Sequence, residues 1–227
     1  MQKATRMTLE GIPFFCSWSG GKDSCLALYH AIHGGGRPRG LLTMMTEGGR
    51  RSRSHGLPAE LLFAQAGALN LPLTLRATGW SDYEANFSAA LAQFHQAGIR
   101  AGVFGDIDLQ EHLDWVQRVC GAAGLMVQEP LWQRPRRELL DEFIRLGFRA
   151  RIVAVRENVL DRSFLGRRLT PEVIAQLEAA GVDASGEKGE YHTVVEDGPL
   201  FSAGLSLKPG RIVAESGYLF MDISLAD

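Results

Sequence analysis

Residues 19–24 read Ser19-Gly20-Gly21-Lys22-Asp23-Ser24, which puts paired glycines, two hydroxyls, an ammonium and a carboxylate in one short stretch. Such a stretch suits a pyrophosphate. Glycines let successive N–H groups turn inward as a nest, and a helix that starts just after them adds the positive end of its dipole. Ser19 and Ser24 add hydroxyl donors, and Lys22 adds a full charge. A second polar group lies far along the chain, in "GEKGEYHTVVEDGPLF" from Gly186 to Phe201. A turn there needs Gly186 and Gly189 for backbone reasons, but it has no need of Glu187, Glu190, Tyr191 and Thr193 beside them. A third group, "EGGRRSRSHGLP" at 47–58, brings Arg50, Arg51, Arg53 and His55. These side chains are candidates for nucleotide phosphates or an anionic acceptor, against the plainer reading of a solvated basic loop. His55 is also expected to titrate near neutral pH.

The first stretch fits neither of the two best-known phosphate cradles. Aligning the final Gly-Lys of G-x-x-x-x-G-K-[ST] on Gly21-Lys22 puts Cys16 at the first glycine and Asp23 at the Ser/Thr position. The dinucleotide pattern G-x-G-x-x-G fails at "GGGRPRG", where Arg39 falls on the last glycine and the stretch follows a helix where it should open one.

The elements that position these residues follow from hydrophobic periodicity. Short β-rich runs at Ile12 to Trp18, Gly40 to Thr46, Leu71 to Ala77 and Gly102 to Ile107 alternate with helical runs. The helical runs are Ser24 to His33, Pro58 to Leu69, Tyr83 to Ala97 and Gln110 to Ala123. That alternation predicts an α/β domain with a doubly wound parallel sheet. Ligands of such sheets sit beyond the carboxyl ends of the strands, which gathers Ser19 to Ser24, the segment after Thr43-Met44-Met45, and Gly105-Asp106 around one crevice. Met44 and Met45 are candidates for adenine contact or for plain core. After "LMVQEPLW" the character changes. An amphipathic helix begins at Pro135, a strand follows in "ARIVAVRE", and "TPEVIAQLEAAG" is a helix with Thr170 as N-cap, Pro171 at its first position and Gly181 at its end. The remainder is glycine-rich and strand-like. We expect a nucleotide domain over 1–130 and a smaller α+β domain over 131–227.

At 227 residues, with 45% hydrophobic and 22% charged residues and a formal net charge of -2, the chain reads as a soluble globular protein without the basic excess of a nucleic-acid binder. Cys16, Cys25 and Cys120 are odd in number and widely spaced, which argues against disulfides and zinc and for a reduced, cytoplasmic setting. The N-terminal "MQKATRMTLEGIPFF" lacks an apolar signal core, and no run approaches membrane-spanning length.

Ser19 to Ser24 resembles the PP-loop signature of the ATP pyrophosphatase superfamily, adenine nucleotide alpha hydrolase-like proteins of HUP-type fold that cleave ATP to AMP and pyrophosphate. Gly186 to Phe201 narrows the resemblance to the diphthine-ammonia ligase family, whose smaller second domain bears a G-E-x-G-E-[YF]-x-T segment followed by Pro-Leu-Phe. "PLW", "LLDEFIRLGFRA" and "LGRRLTPEVIAQL" also run in that family's order. Two departures fall near the acceptor side. Gly105-Asp106-Ile107-Asp108-Leu109-Gln110 stands where the family generally has an S-D-Y-Q-R type segment, and Ser185 stands where it commonly has Cys.

The resemblance implies an amide-forming ligase in which an acceptor carboxylate attacks the α-phosphorus, pyrophosphate leaves, and ammonia opens the acyl-adenylate. Lys22 and the Gly20-Gly21 amides would steady the leaving pyrophosphate. Mg2+ would accompany the triphosphate, with Asp23 as a ligand or as a simple helix cap. The nucleotide set is then Ser19, Gly20, Gly21, Lys22, Asp23, Ser24, Met44, His55, Gly105 and Asp106, and the acceptor set is Glu187, Gly189, Glu190, Tyr191 and Thr193. Tyr191 would face a cationic acceptor such as diphthine on an elongation factor. Free ammonium is the expected nitrogen donor, because no residues are left over for a glutaminase domain. The expected partners exclude stable nucleic acid and membrane, and a homodimer is left open. The alternatives are a tRNA-modifying sulfur or amide transferase, which would bring paired cysteines or a basic appendage, and an ATP-binding regulatory module, which would not need the second motif.

Overall fold

The computed structural model describes residues 9–226, so the first part of the N-terminal stretch read for targeting signals lies outside the described residues. The first domain is a parallel sheet in the order β3-β2-β1-β4-β5, formed by β1 (Pro13–Ser17), β2 (Arg37–Met45), β3 (Leu73–Ala77), β4 (Ala101–Val103) and β5 (Met126–Gln128). Four helices cross between them: α1 (Lys22–His33), α2 (Ala59–Ala68), α3 (Tyr83–Gln96) and α4 (Gln110–Ala122). β5 was not foreseen, because its three residues are too few to show a period.

Alternation along the strands feeds two cores. Phe14 and Cys16 point to the face covered by α1 and α2, whereas Phe15, Leu42 and Met44 point to the face covered by α3 and α4. β1 continues to β2 on one side while β3 returns to β4 on the other, so the order reverses between β1 and β4. This is the switch point at which open α/β sheets bind ligands.

The second sheet is antiparallel, in the order β7-β6-β9-β8, from β6 (Arg149–Arg156), β7 (Tyr191–Asp197), β8 (Leu207–Glu215) and β9 (Tyr218–Leu225). Its helices are α5 (Arg136–Arg145), which follows Pro135, and α6 (Pro171–Ala179). Thr170 caps α6 by accepting from Val173 N at 3.3 Å, and Gly181 follows the helix with φ +77°. Leu139, Leu140 and Phe143 of α5 and Val194 and Val195 of β7 share one buried cluster with Phe14, Leu26 and Leu61. The two sheets therefore clasp a common core, and β7 runs against the first turn of α1.

Candidate active site

The loop at 19–24 closes β1 and opens α1. Gly20 turns it with φ +80°, in the left-handed region, and its carbonyl accepts from Val195 N of β7 at 2.9 Å. Gly21 precedes the helix at φ -96°, an ordinary value, so its lack of a side chain answers to space. A Cβ there would fall 2.2 Å from His55 Cε1 and 3.2 Å from the Thr193 carbonyl. Ser19 and Ser24 face each other at 3.0 Å between hydroxyls, and Gly21 N donates to Ser19 Oγ at 3.3 Å. Gly105 presses from β4 against the same helix start, where a Cβ would meet the Asp23 carbonyl carbon and Ser24 N at 2.8 Å each. β4 has ended at Val103, and Asp106 lies at the cleft.

The second-domain motif meets the loop directly. Lys22 N donates to Thr193 Oγ1 at 3.1 Å, and Lys22 Nζ lies 2.7 Å from Asp23 Oδ2 and 3.5 Å from Glu187 Oε1. Lys22 is 5% exposed. Burial acts to lower its pKa, but the Asp23 and Glu187 carboxylates prevail and hold the ammonium protonated. Glu187 is raised from the usual carboxylate range by burial and then by Asp23, with Lys22 and Arg136 opposing. Lys22 thus belongs to a buried ion cluster as well as to the loop.

Other parts of the motif take different places. Tyr191 is buried, donates its hydroxyl to Ala184 O at 2.6 Å, and has Lys22 Nζ 6.0 Å from its ring centre, so its cation is already supplied by the protein. Glu190 is 5% exposed and accepts from Asp183 N at 3.2 Å and Lys188 N at 3.0 Å. It braces its own turn and does not line the cleft, so the acceptor contact expected of it is replaced by a structural one. Gly189 likewise serves the turn, with φ +77° and its carbonyl accepting from Tyr218 at 2.8 Å.

Loop 47–58 divides by residue. His55 donates Nδ1–H to Thr193 O at 2.7 Å, which leaves Nε2 as the unprotonated nitrogen, and burial lowers its pKa. It is a neutral seam residue, where a near-neutral titration was expected. Arg51 reaches across to Asp222 of β9 at 2.5 Å and is a tie between the domains. Arg53 enters the cleft, and Arg50 stays exposed.

These elements enclose a cleft of about 270 Å3 that brings together Ser19, Lys22, Asp23, Ser24, Thr43, Met44, His55, Gly105 and Asp106 from the first domain with Glu187, Tyr191 and Thr193 from the second. Met44 is only 8% exposed and packs in the α3/α4 core, while Met45 lies in the other core. Asp106 pairs with His112 at 3.0 Å and thereby raises the His112 pKa. Behind them, burial and then Asp106 push Glu129 up to about 8. All three cysteines are free and buried, and burial raises each thiol well above its usual range, so none is a poised nucleophile.

Two residues that neither motif singled out support the site. Gln65, wholly buried on α2, donates through Nε2 to Gly20 O at 3.0 Å and Val195 O at 2.7 Å, and accepts from Trp18 Nε1 at 3.0 Å. It locks the loop to β7. His192 packs beside His55 with ring centres 4.8 Å apart, tilted by 37°, and burial lowers its pKa to about 3. A Gln on an apolar helix gave no sequence signal for this role.

Comparison with known families decides the kinship. Residues 14–127 match the diphthamide synthase N-terminal domain and residues 135–226 match the diphthamide synthase C-terminal domain. The chain belongs to the diphthamide synthase family. The diphthine–ammonia ligase of Schizosaccharomyces pombe is 26% identical over 222 residues, which cover 87% of this chain and 36% of that protein. Proteins of the same name from Homo sapiens and Bos taurus are 33% and 31% identical over 113 residues, 48% of this chain and 42% of each relative. The chain thus spans well under two thirds of the curated relatives it matches. No helix among the described residues is long and apolar enough to cross a membrane.

Proposed function

We propose that the chain is an ATP-dependent carboxylate–ammonia ligase that forms AMP and pyrophosphate, with diphthine on an elongation factor as its acceptor. The observation that carries this reading is the meeting of Lys22 and Glu187 at 3.5 Å, which gives the phosphate loop and the second-domain motif one shared cleft. In-line attack needs the reacting oxygen within about 3–3.5 Å of the α-phosphorus, so two substrates must share such a space.

In this reading the Ser19 and Ser24 hydroxyls, now bonded within the loop, turn to the β and γ phosphates together with the nest amides. Lys22 Nζ shifts from its carboxylates to the pyrophosphate as the bond from the α-phosphorus to the bridging oxygen breaks, and supplies charge where charge accumulates. Ammonia then attacks the acyl carbon and AMP leaves with the bridging oxygen. Ammonium must first give up a proton, and Glu187, raised by burial and facing the cleft, is the base placed to take it.

No cluster of three or more His, Cys, Asp or Glu among the described residues forms a metal site. Mg2+ would arrive on the triphosphate, with Asp23 as its contact on the protein side, and would neutralise phosphate charge. The buried free thiols suit a reducing cytoplasm.

The test is to incubate the protein with ATP, ammonium and elongation factor bearing diphthine, and then to separate the nucleotides. AMP and pyrophosphate that depend on the acceptor are expected. ADP and inorganic phosphate as the sole products would overturn the reading.

A further inference from the structure

We propose that Arg53 holds the acceptor's carboxylate, and that an aromatic-walled arm of the cleft beside it receives the acceptor's organic body. This rests on the ligase reading above and names the group that reading leaves unassigned. Arg53 lines both the main cleft and an adjoining cavity of about 400 Å3 walled by Trp80, Tyr83, Phe104 and Trp115.

Its guanidinium is fixed before any ligand arrives. Arg53 Cζ lies 4.2 Å from the centre of the Trp80 ring and 6.0 Å from that of Tyr83, and Nη2 donates to the Thr78 carbonyl. The ring contacts and the hydrogen bond together hold the guanidinium in place, so less side-chain freedom remains to be lost on binding.

The same guanidinium lacks the anion that four other half-buried arginines have. Arg51, Arg134, Arg136 and Arg151 each pair with a carboxylate, at 2.5 Å to Asp222, 2.8 Å to Glu142, 2.7 Å to Asp108 and 3.1 Å to Glu196. Among the described residues no carboxylate pairs with Arg53, and its Nε is buried with no hydrogen-bond partner. A buried unpaired N–H is costly, and an incoming oxygen relieves that cost. A planar fork whose Nε–H has no partner matches a carboxylate, which accepts from guanidinium N–H donors.

Position favours the acceptor over the nucleotide. The phosphates already have Lys22 and the Ser19 to Ser24 donors, whereas Arg53 stands where the cleft opens into the aromatic arm. Trp80, at the rim of that arm, is 80% exposed, so the arm is open to a group presented by a larger molecule. A carboxylate on Arg53 would face the nucleotide while the carbons bearing it lie along the rings.

The test uses the whole chain labelled with heavy nitrogen at arginine, the Arg53 Nε–H resonance being assigned by its loss in Arg53→Lys. The probes are a non-cleavable α,β-methylene ATP analogue, then acetate, with inorganic phosphate in a parallel titration. We expect the resonance to stay put with the nucleotide analogue and to move on adding acetate. Movement with nucleotide alone, or with phosphate and not acetate, would assign Arg53 to phosphate and overturn the proposal. In turnover with diphthine-bearing elongation factor, Arg53→Lys should raise the acceptor KM about tenfold or more while the ATP Kd stays within about twofold. An unchanged acceptor KM, or an equal loss of ATP affinity, would also overturn it. If the parent protein forms no AMP with that acceptor the ligase reading fails, and the acetate titration still decides Arg53.

Discussion

Lys22 shows how far a single residue's function can be separated from its packing. Its ammonium sits between Asp23 and Glu187 with 7% of its side chain exposed, so removal leaves two carboxylates facing each other in a dry place. Lys22→Ala is expected to lower stability on the order of 3 kcal/mol, and to cut ATP turnover by about 100-fold or more as one charged transition-state contact is lost. Adding Glu187→Gln should recover much of the melting temperature and none of the turnover, which calorimetry and nucleotide assays can read separately. Gly21 makes a complementary case. A methyl there would overlap His55 at 2.2 Å. Gly21→Ala should cost about 1–3 kcal/mol from overpacking. The double variant with His55→Ala should melt higher than Gly21→Ala alone, and no recovery would show that the contact with His55 is not the cause.

At the scale of elements, the loop keeps its shape because α2 and β7 grip it from either side. Gln65→Leu would leave the Val195 carbonyl and the Trp18 indole N–H buried without partners, at about 1–3 kcal/mol each, and would free the Gly20 turn. ATP affinity should fall with stability, and Gln65→Glu, which keeps the acceptor for Trp18 but not the donors, should restore little of it. The seam between β7 and loop 47–58 also sets an acid limit. Unfolded His192 protonates as pH falls through about 6.5, whereas the folded residue resists until about 3. Over that window the unfolded chain takes up a proton that the native chain refuses, so stability drops as pH is lowered. His55, lowered in the same direction by burial, adds to the effect. A thermal-melting series across these pH values should be shallower in His192→Gln, and an identical slope would remove His192 from the account. The main helices and longer strands were legible because their apolar periods run for several turns. β5 was hidden by its length, and the pairing of Gln65 with Gly20 and Val195 was hidden because it joins residues 45 and 130 apart.

Across the whole molecule, one sheet supplies the glycine loop at its switch point, the proposed phosphate cradle, and the other supplies the wall that closes the cleft. The glycine spacing at 19–24 and 186–193 made both motifs readable, because backbone turns impose residue types that packing alone does not. Which glutamate faces the cleft was not readable. Glu187 and Glu190 have the same side chain three residues apart, and only the folded turn aims the first at Lys22 and the second at its own backbone N–H groups. The arginines of 47–58 were equally ambiguous, since one ties domains and another faces the cleft. The central claim is that an acceptor carboxylate attacks the α-phosphorus inside this shared cleft. Its most direct test uses diphthine carrying heavy oxygen in its carboxylate, with ATP and ammonium, followed by mass spectrometry of the AMP and of the amidated product. The account predicts one heavy oxygen transferred to AMP for each amide formed, because the oxygen that bonds to phosphorus stays there when ammonia displaces it from carbon. AMP without the label, or label recovered only in inorganic phosphate, would contradict it.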